Sequence, residues 1–336
     1  MGKSLQKRRL GRVVGDVGLD LVKEARRARP RVMDPEDPEG LHDFRVALRR
    51  LRVWLQAYRQ QPGIRVPKSL RRDLRDLARA TNAARDGEVM LAWLETIQPQ
   101  LSVRERHAAG WWQQRLEAQV AEAYTEAHEA IESRFPELEQ RLIAQLEAIR
   151  DGDSDRKASG KKKRAKGRGG GPPRFGEASA QVLDALRERL EAEVAAVGSV
   201  EDAESLHRPR ITGKRIRYLL RPWRRVSADC HQAERAMKDF QDAFGVLHDD
   251  LVREAAMHSA ALEQGRQELD ARLTQAAQGQ AGRATAPAHL RGFMDLLSAH
   301  RTRLLRHYDD AMGAGGVANI DALSVHLNRA AEAMRQ

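Results

Sequence analysis

Leu41–Arg59 reads LHDFRVALRRLRVWLQAYR, and further along the chain Leu206–Arg224 reads LHRPRITGKRIRYLLRPWR. Laid together without a gap, the stretches match Leu41 with Leu206, His42 with His207, Arg45 with Arg210, Arg49 with Lys214, Arg50 with Arg215, Leu51 with Ile216 and Arg52 with Arg217. At 100° per residue, Leu41, Phe44, Leu48, Leu51, Leu55 and Tyr58 form one apolar stripe that must face a partner helix. His42, Arg45, Arg49 and Arg52 form a second stripe spanning about 80°, roughly a quarter turn from the first. In the second stretch Leu206, Ile216, Leu220 and Trp223 take the apolar stripe, and His207, Arg210, Lys214 and Arg217 take the basic one. Each stretch is therefore a helix that buries one face and holds a row of cations beside the seam.

Working outward, a second block matches in the same order: Arg72, Arg75, Arg85, Asp86 and Val89 with Arg235, Lys238, His248, Asp249 and Val252. The chain reads as all-α, two copies of one helical unit forming two four-helix bundles related by pseudo-twofold symmetry. Proline, glycine and capping signals predict helices over Leu5–Arg29, Leu41–Gln60, Pro67–Ile97 and Pro99–Arg150 in the first copy, the last kinked at Pro136. In the second copy they fall over Gly176–Val197, Ala203–Arg225, Asp229–Gln280 and Pro287–Arg335, the last interrupted around Gly313–Val317. Between the copies, DGDSDRKASGKKKRAKGRGGGPPRF (Asp151–Phe175) is too polar, glycine-rich and like-charged to bury a core and reads as a flexible linker. The expected division is a first bundle over 1–150, the linker over 151–175 and a second bundle over 176–336.

The 336 residues carry 59 Lys and Arg against 48 Asp and Glu, a formal charge of +11 that points to an anionic partner. No apolar run approaches the ~20 residues of a bilayer span and no signal-peptide core follows the basic start, so a soluble cytoplasmic protein without a membrane partner is expected. One cysteine, Cys230, supplies neither an internal disulfide nor a thiolate cluster, and no cofactor or metal site is expected. Five Trp, four Tyr and six Phe are too few for a platform that stacks unpaired bases.

The charge pattern is the informative part. Leu41–Arg59 holds five arginines against Asp43 alone, and Leu206–Arg225 holds eight Lys and Arg and no acid. A helix made soluble by charge alternates signs, whereas cations at i, i+4 and i+7 repel one another by some tenths of a kcal/mol per pair. Arg45, Arg49 and Arg52 span about 10 Å along the axis, a row suited to a linear polyanion whose phosphate oxygens the arginine forks can grip. Arg72, Arg75 and Arg79, with Arg235 and Lys238 in the second copy, would form facing walls of a basic groove. His42 and His207 are open to two readings, a capping or partly buried ring and a protonated phosphate contact.

The repeated L-H-x-x-R-x-x-x-[RK]-R-[LI]-R, followed in each half by R-D or H-D, resembles the CHAD family, the conserved-histidine α-helical domain. The resemblance spans nearly the whole chain outside the linker. It implies two four-helix bundles and binding of inorganic polyphosphate along a basic surface, with bacterial members associating with polyphosphate granules. By motif it points to His42, Arg45, Arg49 and Arg52, to His207, Arg210, Lys214 and Arg217, and to Arg72, Arg75, Arg85, Arg235, Lys238 and His248. It implies a non-enzymatic protein, here standing alone, since the roughly 40 residues before the first motif leave no room for the triphosphate-processing domain that some members carry. The second copy departs from the pattern at Pro209 and Gly213, where the first has Phe44 and Leu48, so its helix should start later or pack closer. Asp242 stands where Arg79 does, and the groove should be asymmetric.

Two rival readings accompany this one. His42-Asp43 and His248-Asp249-Asp250 contain the residue types of a metal-dependent His-Asp phosphohydrolase, but Asp43 has Arg208 as its counterpart and a cation stripe disfavours a metal. Lys161–Arg168 (KKKRAKGR) could bind nucleic acid weakly and without sequence preference, or serve only as a solubilising linker.

Overall fold

The computed structural model describes residues 5–34, 37, 39–152, 173–279, 288–313, 315–317 and 320–336. The fold is all-α; among the described residues the only strand-like pairing is a single backbone bridge between Arg9 and Arg174. The first half contributes α1 (Leu10–Val32), α2 (Gly40–Tyr58), α3 (Lys68–Ala80), α4 (Asn82–Ile97) and α5 (Val103–Asp151). The second contributes α6 (Phe175–Ala195), α7 (Ala203–Leu220), α8 (Ala228–Ala277), α9 (Ala288–Met312) and α10 (Asp321–Arg335). α1 packs against α2 and α5, while α3 and α4 pack along α5. In the other half α6 packs against α7 and α10, and α8 runs along α7, α9 and α10.

Several boundaries differ from the sequence reading. The segment expected as one helix from Pro67 to Ile97 breaks at buried Thr81 (φ −99°, ψ 2°), because Arg45 reaches from α2 to the carbonyl and side chains exposed by the break. Pro30 does not end the first helix but lies inside its last turn, two residues before Val32. Leu5–Lys7 form a separate 3₁₀ turn, so that helix begins at Leu10 instead of Leu5. The linker is shorter at both ends than Asp151–Phe175. Asp151 closes α5, Gly152 caps it in the left-handed region (φ 81°), and fully buried Phe175 opens α6, its backbone N–H bonded to Arg8 O. The remainder, 153–172 with its KKKRAKGR run, lies outside the described residues.

α7 starts at Ala203, which puts Pro209 in its interior instead of its first turn. Of the two outcomes expected at Gly213, close packing is the one found: a Cβ there would meet Met237 Cε at 3.2 Å and the Phe240 ring at 3.4 Å. Close approach also joins α1 to α5, where a Cβ on Gly15 would meet the Leu146 carbonyl at 2.7 Å.

The apolar interior runs across both halves. One buried cluster takes residues from α1, α2, α3 and α5 together with α6, α7, α8 and α10. Its aromatic centre is shared: Phe175 stacks on Trp223 at 4.9 Å, Tyr58 and Trp54 flank Phe175, and the Tyr58 hydroxyl hydrogen-bonds Ser179 Oγ at 2.8 Å. A second cluster gathers Trp93, Trp112, Met257 and Phe293 from α4, α5, α8 and α9. These shared cores hold α2 against α7, and so set the two cation-bearing helices side by side.

Candidate functional site

Both predicted rows sit on their helices as the wheel requires, with Phe44, Leu48 and Leu51 fully buried on α2 and Arg45 and Arg49 beside them at partial exposure. The two rows converge. The Arg49 charge, from α2, acts on both Arg210 and Lys214, from α7. Arg49 and Lys214 line a single cavity of about 940 Å3 between the two halves.

One side of this groove is formed by Arg52 on α2 with Lys68, Arg71, Arg72 and Arg75 on and around α3. Arg59, Arg215, Gln56 and Tyr218 complete it. Nine cations thus line the groove, and among the described residues no carboxylate does. The buried Nε–H groups of Arg49 and Arg71 have no acceptor, and neither does that of Arg210 nearby. A buried guanidinium donor without an acceptor is costly, and these Nε atoms are closed off from the groove, so it is the remaining surface of the Arg49 and Arg71 side chains that an anion would meet.

Of the predicted residues, Arg49, Arg52, Arg72, Arg75 and Lys214 line the groove. Arg72 and Arg75 each have the next carboxylate as a neighbour, Asp73 at 3.7 Å and Asp76 at 2.9 Å, while Arg52 has Arg79, Arg75 and Arg49 around it. His42, Arg45 and Arg85 gather at one end near Asp86. Arg85 pairs with Glu88 at 2.9 Å. Arg45 is largely committed within the protein: its Nη1 donates to Ala78 O, Thr81 Oγ1 and Asn82 Oδ1 at 3.2, 2.6 and 2.9 Å. At the equivalent place in the second half are Arg210, His207 and His248, with Asp249 at 3.7 Å from Arg210. Arg217, Arg235 and Lys238 do not line the groove. Arg217 donates to Glu234 at 3.0 Å, and Lys238 lies 3.8 Å from Asp242.

Burial and clustered positive charge hold the basic groups here below their usual values. His42 is lowered by burial and by Arg85; His207 by burial, Arg210 and Lys214. His248 falls to about 3 through burial, Arg210, His207 and Lys214, and its Nδ1 lies 3.2 Å from His207 Nδ1, one ring donating to the other. Lys214 falls to about 7 through burial, then Arg210 and Arg49, with Asp249 opposing. With no anion present these histidines are neutral at pH 7, so a protonated phosphate contact would require the ligand itself to draw the proton in. The His-Asp pairs do not assemble into one site. Asp43 pairs with Arg31, and Asp250 is buried against His307 and Arg253. No group of three or more His, Cys, Asp and Glu suited to a metal occurs among the described residues.

Arg59, Lys68, Arg71 and Arg215 line the groove but were not among the predicted binding residues. Spacing could have found them: Arg59 follows Arg52 by two turns, Lys68, Arg71 and Arg75 share one face, and Arg215 follows Lys214 in the repeated motif. Beyond Tyr218 a second depression of about 430 Å3 holds Arg50, Arg221, Arg224 and Arg225, but there Asp20 and Glu24 are present and Arg50 pairs with Glu24.

The family model for the CHAD domain matches residues 19–258. Among solved structures, the CHAD domain from the plant Ricinus communis superposes with a TM-score of 0.57 at 21% identity, covering 97% of this chain and 94% of that one. PptA from Streptomyces chartreusis superposes with a TM-score of 0.53 at 16% identity, covering 90% of this chain and 100% of its own. No curated protein sequence matches the chain.

Proposed function

The chain belongs to the CHAD family, and from that premise we propose that it binds inorganic polyphosphate in the groove between α2, α3 and α7 without cleaving it. The observation that carries this reading is the groove lining: nine Lys and Arg side chains and, among the described residues, no carboxylate. A linear chain of phosphates offers charge at short regular intervals, and each phosphate engaged adds charge-assisted hydrogen bonds while releasing counterions. The family's polyphosphate binding, implied by the repeated motif, supports the choice of ligand. Nucleic acid is the weaker candidate, because Tyr218 is the one aromatic ring in the lining and a base would find little to stack on. The second depression is weaker too, since its acids offset its arginines. Among the described residues no helix is long and apolar enough to cross a membrane. A cytoplasmic role on polyphosphate granules, assisted by the basic run Lys161–Arg168, completes the proposal.

The test is a titration of the purified protein with long-chain polyphosphate, triphosphate and duplex DNA at two salt concentrations, with product analysis. Preference for the long inorganic chain, steep weakening with salt and no released phosphate are the expected results. Equal affinity for DNA, or metal-dependent phosphate release, overturns the reading.

A further inference from the structure

The repeat sets Ile97, the end of α4, against Ala260 of α8, yet α8 continues to Ala277. About five helical turns, residues 261–277, therefore have no counterpart in the first half. At its root this extension is packed on one side, where Met257, Ala260, Ala261 and Gln264 are buried. Glu268 lies 3.8 Å from His289 near the start of α9, and beyond it every residue from Leu269 to Ala277 except Arg272 is exposed. Leu262, Leu269 and Leu273 are 63%, 58% and 60% exposed. They fall within about 40° of one another around the helix, on the side away from the buried face. Single exposed leucines are ordinary on a surface, but three on one stripe of a helix without a neighbour have the spacing of a helix–helix seam.

We propose that this stripe is a self-association site, taking the same segment of a second copy of the chain in antiparallel orientation. Charge selects that occupant. Arg266 and Asp270 are exposed on one side of the leucine stripe, and neither has an ion pair among the described residues. Within their own helix they stand four apart with the base before the acid, the weaker order for pairing. In an antiparallel pair related by a twofold axis, like sides of the two helices meet. A register that sets Arg266 against the second copy's Asp270 therefore does the same for Asp270 and the second copy's Arg266, and two opposite-charge pairs form at once. The same register lays Leu262 on the second copy's Leu273 and brings the two Leu269 side chains together at the axis. A parallel pair would instead set each Arg266 against its own copy. The extension reaches about 25 Å, which keeps the two folded bodies at opposite ends of the paired segment. The contact is smaller than the roughly 1,200–2,000 Å2 of a stable interface, so the association is weak and belongs to high local concentration.

The experiment is sedimentation of the whole chain at low salt from about 10 µM to about 1 mM, without polyphosphate, so that no polyanion bridges two grooves. A monomer–dimer equilibrium is expected, and Leu269→Asp should weaken it at least tenfold while leaving Tm unchanged, because the side chain is exposed. Arg266→Asp and Asp270→Arg should each weaken it by about three- to tenfold, and the two together should restore it, since the pairs re-form with their signs exchanged. Cysteine cross-linking reads the register, the native Cys230 being fully buried. Leu269→Cys should form a disulfide with its own copy; Leu262→Cys should not do so alone but should when mixed with Leu273→Cys. A chain monomeric up to about 1 mM leaves the stripe to some other partner and overturns the proposal. So does a dimer indifferent to Leu269→Asp, a double exchange that fails to restore association, or self-linking of Leu262→Cys. None of these outcomes bears on what the groove binds.

Discussion

The two helices that flank the paired cation rows, α3 and the much longer α8, align in sequence and treat their charge in opposite ways. Carrying the alignment of Arg72 with Arg235 and Arg75 with Lys238 along both helices sets Arg71 against Glu234 and Arg79 against Asp242. On the α8 side Glu234 takes the Nε–H of Arg217 and Asp242 stands near Lys238, so that wall is neutralised. On the α3 side Arg72 and Arg75 have Asp73 and Asp76 beside them, but Arg52, the counterpart of Arg217, faces Arg75 and Arg79, and Lys68 and Arg71 add cations to the groove, so basic residues remain in excess. One wall is thus internally satisfied and the other is left charged. Excess charge in a partly buried place favours an anion over solvent, so the binding we propose should fall mostly on the α3 wall.

The sharpest way to break this comparison is charge reversal of one wall at a time. Arg52→Glu, Arg71→Glu and Arg75→Glu together should lower polyphosphate affinity by roughly a hundredfold and flatten the dependence on salt by about two units of slope. Arg217→Glu, Arg235→Glu and Lys238→Glu together should cost less than about tenfold, because those cations lie off the groove and two of them already have carboxylates. Titrations across a salt series measure both, and equal losses would erase the distinction. Single exchanges sharpen it. Arg71→Glu, which copies the second half into the first, should weaken binding by about fivefold, while Glu234→Gln, which releases Arg217, should strengthen it by up to about threefold.

The charged rows were legible in the sequence because helical periodicity alone places Arg45, Arg49 and Arg52 on one stripe, and the same spacing recurs at Arg210, Lys214 and Arg217. The asymmetry was partly legible in Asp242. The rest depended on contacts that spacing does not carry. Thr81 breaks a helix without proline or glycine, since Arg45 stabilises the break from another helix. Glu234 looks like any exposed acid until α8 brings it to Arg217 from 17 positions away. Phe175 reads as the end of a polar linker, but Trp223 and Tyr58, from opposite halves, enclose it. The convergence of Arg49 on Lys214 likewise follows from the shared core and from neither helix by itself.

A second contrast concerns protons. Lys214 and His248 in the second half occupy the positions of Arg49 and Arg85 in the first. Arginines keep their charge, whereas Lys214 sits at about 7 and His248 at about 3. A bound polyanion favours the protonated forms, so binding takes up protons above pH 7 and affinity should fall by about two- to fivefold between pH 7 and pH 8.5. Lys214→Arg should remove most of that dependence. The anion-free protein should respond in the opposite sense. Between about pH 7 and the lysine's ordinary value the unfolded chain binds the extra proton at Lys214, so stability rises with pH. For His248 the folded value is again the lower one, so its contribution is present above the usual histidine range and is lost as pH falls from there towards 3. Thermal unfolding with and without polyphosphate over pH 5 to 9 measures both signs.

The smallest expected effect on binding separates the two matched arginines, Arg45 and Arg210. Arg45 spends its Nη1 on three acceptors at the α3–α4 break, and α8 has no such break to hold. Arg210 has Asp249 at 3.7 Å, a buried Nε–H without an acceptor, and the repulsion of Arg49. Removing Arg45 strands the acceptors it satisfied and loosens the break, so Arg45→Gln should cost about 1–2 kcal/mol of stability. That is a fall of about 1–3 °C in Tm for a chain of this length, with polyphosphate affinity changed by about threefold at most. Removing Arg210 relieves repulsion and an unsatisfied donor, so Arg210→Gln should leave Tm level or raise it slightly. Calorimetry on the two variants reads the difference. A larger loss for Arg210→Gln would mean that the second row is built to support the fold, and that the structural roles of the two matched helices lie the other way round.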